Sequence, residues 1–422
     1  MLASTLIPLA IVGAIVPSVA ASPIYVAGQA PSVGGPDGVV SPELLRREFE
    51  QGVARGVAQL AARSPETPDG DCAKKARRSR KAKRSTGSVP LVNVDGSDLG
   101  YFAPARVGTS QQETSLLVDT GSADILVPRK TEQWPENTFD PKKSRTFIEG
   151  DGTETAFAFG QGTTLAPVVQ DKIQIGPWIK IKQHFGLFDP AFIGGPHGLL
   201  GLSWPSLSKI KGGMTFFERL RHDKNLDADL FGLYHSRGQV SGSQLTLGAV
   251  DASRYEGELT ALPVKAQLHW TLQMNEASID GEKVFDGPVY SAIDSGSTFA
   301  IIPKAITDAF FARVPGVVID PNFVKTTIVN GETVVGQVYL IPCDTKVPDL
   351  AFTFDGSSRA FNIASEDAIV GEYNGLCISS IMGADVTYAG QKAALIGLPF
   401  LKSWYSVFDF EDATVSFAAA KH

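Results

Sequence analysis

Cysteine, tryptophan and histidine are scarce in this chain: three, five and six among 422 residues. Cys72, Cys343 and Cys377 stand at no zinc-ligand spacing, and the histidines form no H-E-x-x-H run or other ligand cluster, so neither a metal nor a cofactor is expected. No nucleophile, base and orienting acid can be placed by spacing as a serine triad. Gly160 and Gly162 lack the third glycine or following lysine of a phosphate loop. No N-x-S/T acceptor occurs, so N-glycosylation is not expected. Charge is missing altogether from residues 1–21, MLASTLIPLAIVGAIVPSVAA.

That uncharged opening, with a compact apolar run and small residues at its end, reads as a secretory signal peptide. The competing reading is a membrane anchor, but Pro8 and Pro17 leave too short an uninterrupted run to span a bilayer. No later segment is long and apolar enough to cross, so no membrane association is expected once the signal is removed. Residues 22–84 then carry 12 Lys and Arg against 7 Asp and Glu, whereas 85–422 carry 26 against 38, a net charge of −12. The basic excess stops at KKARRSRKAKR, Lys74 to Arg84. Such a run can bind nucleic acid or a membrane surface. Between a secretory signal and an acidic globular region it reads more economically as the end of a propeptide cut after Arg84, which leaves no nucleic-acid partner to expect.

At this length two packed lobes plus processing segments are expected, and 43% hydrophobic with 20% charged residues excludes global disorder. From about Val89 the chain runs in short stretches rich in Val, Ile, Thr and Phe, such as DKIQIG, SGSQLTLGAV and DLAFTFDG, punctuated by Gly, Pro, Asp and Ser. That pattern predicts an all-β protein of many hairpins. A few short helices are expected, at Met214–Asn225 and from Pro303 to Val314, the second opening on a proline suited to a helix N-terminus. Cys343 and Cys377 can pair in an oxidising compartment or stand as core thiols.

An internal repeat carries the chemistry. Leu117-Val118-Asp119-Thr120-Gly121-Ser122 returns as Ala292-Ile293-Asp294-Ser295-Gly296-Ser297, and each copy reaches two apolar residues and a proline at the same offset, Pro128 and Pro303. Each is followed by a second matching turn, Leu199-Leu200-Gly201-Leu202 and Leu395-Ile396-Gly397-Leu398. Two lobes of common design follow. One Asp-Thr-Gly alone signals little more than a turn. Two in matched apolar frames bring Asp119 and Asp294 face to face, with glycine allowing close backbone approach. Paired carboxylates cannot both ionise easily and share a proton over an acidic range, as in pepsin, the standard example of this effect. One then deprotonates a water while its protonated partner polarises a peptide carbonyl. Ser122 and Ser297 are expected to hydrogen-bond the outer carboxylate oxygens, and Thr120 and Ser295 to bond across the lobe junction.

Over essentially all of 89–422 the chain resembles the pepsin family of aspartic proteases, especially the fungal secreted ones. Besides the two aspartate motifs, the resemblance rests on Phe139-Asp140-Pro141 with Lys143-Ser144-Arg145-Thr146-Phe147, on TFFERL, LTLGAVDASRYEGELTALPV and YLIPCD, and on LIGLPFLKSWYSVFDFEDATVSFA. It implies a bilobal fold with a cleft between the lobes, a hairpin flap over the cleft, and a disulfide joining Cys343 to Cys377. An N-terminal lobe over 85–260 and a C-terminal lobe over 261–422 are expected. The chain is expected to be a secreted or vacuolar monomer acting on proteins or peptides, with its own propeptide as an inhibitory partner.

The chain departs from the family at the flap. Where relatives carry a tyrosine in Y-G-x-G-[ST] and a tryptophan seven residues after the first aspartate, Phe159-Gly160-Gln161-Gly162-Thr163 and Leu126 stand here. Both polar partners are lost together, which strands no buried donor. A competing alignment places Glu149-Gly150-Asp151-Gly152-Thr153 at the flap. His197 and Leu398 stand where relatives often have Asp. By resemblance Leu199 and Phe159 join Leu117 in an apolar first pocket. A catalytically impaired binding or inhibitor protein is the alternative function, and a two-carboxylate glycosidase has no support beyond the carboxylates.

Overall fold

The structure is a computed structural model that describes residues 87–422 except 160–161, 177, 193–194, 224–225, 320–323, 330–331 and 389–390. The proposed signal peptide and propeptide, with Cys72 and Arg84, therefore lie outside the described residues. The fold is built mainly of β-strands in two large sheets. In the first, Gly87–Asn93 pairs with Ser243–Leu247 and with Tyr101–Val107, which pairs with Gln112–Asp119. In the second, Trp270–Ile279 and Glu282–Ile293 form a long hairpin flanked by Leu350–Phe354 and Gln391–Ile396. The strands alternate buried and exposed residues where one face meets water, as in Gly87–Asn93, and are buried throughout where they run under the site, as in Ile125–Pro128.

The last strands do not stay with the second sheet. Trp404–Asp409 pairs with Leu230–Tyr234, and Thr414–Ala420 closes on Tyr255–Pro263, so the end of the chain completes the sheet begun near residue 87. Trp204, Phe217, Phe231, Trp270, Phe408 and Phe410 interlock beneath this joint in stacked and edge-to-face pairs, and the Trp270 indole donates to the Leu202 carbonyl at 3.1 Å. A buried ionic link crosses the same region. Lys402 sits 3.1 Å from both Asp98 and Asp367, and Arg237 grips Asp367 through Nε and Nη2.

The first expected helix is shorter than its apolar pattern and runs Phe216–His222, because Thr215 accepts from the Glu218 amide and Glu218 accepts in return, a capping box that fixes the start. The second is Lys304–Phe311, with Pro303 at its N-cap.

Candidate active site

Each half of the repeat folds into the same three-strand floor. In the first, Gln112–Asp119 lies parallel to His197–Gly201, with Leu117 opposite Leu199 and Asp119 opposite Gly201, and Ile125–Pro128 returns antiparallel with Leu126 opposite Leu199. In the second, Glu282–Ile293 lies parallel to Gln391–Ile396, and Ala300–Ile302 returns with Ile301 opposite Leu395. Leu126 and Ile301 each stand seven residues after their aspartate. Gly201 and Gly397 are required for close approach: a Cβ on Gly201 would lie 2.5 Å from the Ala123 carbonyl carbon, and one on Gly397 2.4 Å from the Ser297 carbonyl oxygen.

Asp119 is 4% exposed and Asp294 fully buried. Two reciprocal pairs of hydrogen bonds join the loops that carry them. The Thr120 amide donates to Ser295 Oγ at 3.1 Å, and the Ser295 amide to Thr120 Oγ1 at 2.9 Å. Each hydroxyl then donates across the junction, Thr120 to the Ile293 carbonyl and Ser295 to the Val118 carbonyl, both at 2.8 Å. Within each loop the glycine amide donates to its aspartate, Gly121 to Asp119 Oδ1 and Gly296 to Asp294 Oδ1, again both at 2.8 Å. A Cβ on Gly296 would fall 2.4 Å from Asp119 Oδ1, so the second loop lies directly against the first carboxylate.

The symmetry ends at the serines. Ser122 Oγ donates to Asp119 Oδ2 at 2.6 Å. Ser297 Oγ instead donates to the Phe299 carbonyl at 3.0 Å and spends its single proton inside its own turn. The expected bond from Ser297 to an outer carboxylate oxygen is therefore replaced by a local one.

Over the first floor stands a hairpin, Glu154–Phe159 with Gly162–Ile175, in a register that sets Phe159 opposite Gly162. Gly160, Gln161 and the side chain of Phe159 lie outside the described residues. Glu149 to Thr153 precede the hairpin, and the exposed Asp151 accepts from the Thr153 amide at 2.8 Å. Leu126 is buried with Phe157, Ala166, Phe188 and Ile210, and the half-buried Val168 and Leu199 pack on them. A Cβ on Gly186 would meet Leu126 Cδ2 at 2.5 Å and Phe157 Cε2 at 2.9 Å, so these two side chains close over one glycine. Apolar packing thus fills the space around Leu126. Leu117 is buried beside Asp119. His197 Nδ1 lies 2.7 Å from Ser115 Oγ, and Leu398 is buried with its amide donating to the Ser297 carbonyl. Cys343 and Cys377 form a disulfide. Among the described residues no group of His, Cys, Asp or Glu is arranged to hold a metal ion.

Asp124 was not among the expected site residues, although a carboxylate inside the apolar run after Asp119 is a signal in itself. It is 8% exposed.

Two β lobes sharing a floor of paired Asp-[Thr/Ser]-Gly loops define a pepsin-like aspartic protease. The family model for eukaryotic aspartyl protease matches residues 100–420, and the chain belongs to that family. Relatives include a pregnancy-associated glycoprotein of Equus caballus, 32% identical over 76% of this chain and 82% of that protein. Pepsin F of Oryctolagus cuniculus is 30% identical over 78% and 83%, and vacuolar protease A of Aspergillus fumigatus 30% over 76% and 79%. By class the chain is an aspartic endopeptidase, and its fold is the bilobal pepsin-like one.

Proposed function

We propose that the chain hydrolyses peptide bonds at acid pH through a water activated between Asp119 and Asp294, and that it prefers large apolar residues around the scissile bond. The observation that carries this reading is the reciprocal Thr120–Ser295 bonding, which holds the two aspartate loops against each other. With one carboxyl ionised and its partner protonated, the first takes a proton from water and the second donates to the substrate carbonyl, giving a tetrahedral intermediate with no covalent enzyme adduct. Thr120, Gly121, Ser122, Ser295, Gly296 and Ser297 hold the pair, Leu117 and Leu199 face substrate, and Phe159 and Gly160 are assigned to substrate binding by their resemblance to the family's flap. Residues 1–21 act as a signal peptide and 22–84 as a basic, inhibitory propeptide of a mature chain whose acidic lobes are 85–260 and 261–422. The product is a monomer, secreted or vacuolar. Among the described residues no helix is long and apolar enough to cross a membrane.

Replacing Asp119 or Asp294 with Asn, each alone, tests the reading, because an amide keeps the shape and cannot share the proton. Hydrolysis of denatured haemoglobin at acid pH should disappear in both variants, with folding nearly intact by circular dichroism. Substantial turnover in either purified variant would sink the assignment, and an inert wild type would favour a binding protein.

A further inference from the structure

Asp124 is a buried carboxylate that the catalytic scheme does not use. Its Oδ1 accepts from Ser208 Oγ at 2.5 Å and its Oδ2 from the Lys209 amide at 2.7 Å. Ser208 Oγ in turn accepts from the Ile210 amide at 3.2 Å, and the Asp124 carbonyl accepts from the Gly201 amide at 3.0 Å. Burial pushes the carboxyl above its ordinary range, opposed by hydrogen bonds from Ser208, Lys209 and Ile210. Burying such a group costs free energy that its hydrogen bonds must offset, so those bonds are not easily given up. What they hold is the turn that carries Ile210.

Ile210 belongs to one buried cluster with Leu126 of the floor and with Phe157 and Ala166, one on each strand of the hairpin over the site. It is also close to Gly213, where a Cβ would lie 2.9 Å from Ile210 Cγ2. The second half of the repeat has no such arrangement: the residue five positions after Asp294 is the buried Phe299. The carboxylate therefore occurs only in the half that carries the hairpin.

We propose that Asp124 is a positioning residue for substrate selection: by pinning residues 208–210 it holds Ile210 in the cluster beneath the hairpin and fixes how the hairpin stands over Asp119. The proposal rests on the reading that this hairpin covers bound substrate. The test compares full-length wild type with Asp124→Ala, Asp124→Asn and Ser208→Ala, by amide hydrogen exchange and by kinetics on peptides with Phe or Ala before the scissile bond. In Asp124→Ala, exchange in Glu154–Phe159 should rise about tenfold while Ala300–Ile302 and Gln391–Ile396 stay as they were. KM for the Phe peptide should rise about fivefold with kcat within about twofold, narrowing the preference for Phe over Ala. Asp124→Asn, which keeps one acceptor oxygen for the Lys209 amide, should restore most of both effects. Unchanged hairpin exchange, or a rise spread evenly through both lobes, overturns the proposal. If Asp124→Ala does not fold, Ser208→Ala removes one bond and must show the same pattern at smaller size. If the wild type hydrolyses nothing, the catalytic reading fails, and the exchange measurement still decides whether Asp124 seats the hairpin.

Discussion

Thr120 and Ser295 each receive the other's backbone amide on a side-chain oxygen, at 2.9 and 3.1 Å, and each passes its own proton to a carbonyl of the opposite strand. Four buried backbone groups are thereby satisfied by two hydroxyls at the joint beneath the carboxylates. The arrangement makes the two aspartate loops one mechanical unit.

Removing either hydroxyl should therefore be expensive. Thr120→Val, close to isosteric, leaves the Ser295 amide and the Ile293 carbonyl unpaired, at about 1–3 kcal/mol for each group. Urea denaturation should show a loss of about 2–6 kcal/mol, with a similar loss for Ser295→Ala. Because both act on one joint, the double variant should fall short of the sum by about 1 kcal/mol or more. Strict additivity would mean that the two hydroxyls work independently.

Gly296 is needed for space. Asp119 is already held by the Gly121 amide and the Ser122 hydroxyl, so a methyl placed 2.4 Å from its Oδ1 must displace the carboxylate or the loop. A displacement on the order of 1 Å costs about a hundredfold in rate. Gly296→Ala should lower kcat on a peptide substrate by about that factor and leave the chain folded. Activity within threefold of wild type would show that the approach of this loop to Asp119 is not required.

His235 gives the fold an acid-sensitive point that is not a carboxylate. It is 1% exposed, and burial draws its imidazole down to about 4, with the Leu401 backbone and Asp98 opposing and Lys402 and His422 assisting. The folded state thus favours the neutral ring. Above the unfolded value near 6.5 neither state is charged and nothing is lost. As pH falls from there towards 4, the unfolded chain takes up a proton that the folded chain refuses, and stability drops by about 3 kcal/mol. His235→Phe should shrink the difference in unfolding free energy between pH 7 and pH 4 by about that amount. An unchanged difference would place the acid sensitivity elsewhere, for instance in the ion pairs of Asp98 and Asp367.

The first substrate pocket should refuse charge. Leu117 and Leu199 are apolar, and Asp151 lies exposed ahead of the hairpin, engaged with the Thr153 amide. A peptide with Phe before the scissile bond should be cleaved at least about tenfold better in kcat/KM than its Lys twin, roughly 1.4 kcal/mol of discrimination. Asp151→Asn should leave that ratio alone and Gln161→Asp should narrow it. Efficient cleavage of the Lys peptide, lost in Asp151→Asn, would overturn both the pocket and the placement of the flap at Phe159.

Features written in local pattern are legible in the sequence. The two aspartate frames are repeats of apolar strand, carboxylate, hydroxyl and glycine, and the strand registers around Leu126 and Ile301 follow the same offsets. Features decided by distant partners were not. Nothing in Gly-Ser-Thr-Phe says that Ser297 spends its proton on the Phe299 carbonyl while Ser122 spends its own on Asp119. Asp124 stands out as a carboxylate in an apolar run, but nothing local says that its partner is the turn at Ser208, 84 residues on. The apolar stripe from Met214 also overstates its helix, because the Thr215–Glu218 capping box sets the first turn.

The return of the last hairpin to the first sheet has a consequence for biosynthesis. Leu230–Tyr234 finds its neighbour in Trp404–Asp409, whose first residue is made 170 positions after Tyr234. At about 5–20 residues per second that is a delay of roughly 10–30 s. Throughout it the nascent chain carries an open strand edge with Phe231 and Leu233, which are fully buried in the finished protein. The half of the chain that leaves the ribosome first must therefore be kept from pairing with other chains until the half that leaves last arrives to cover it.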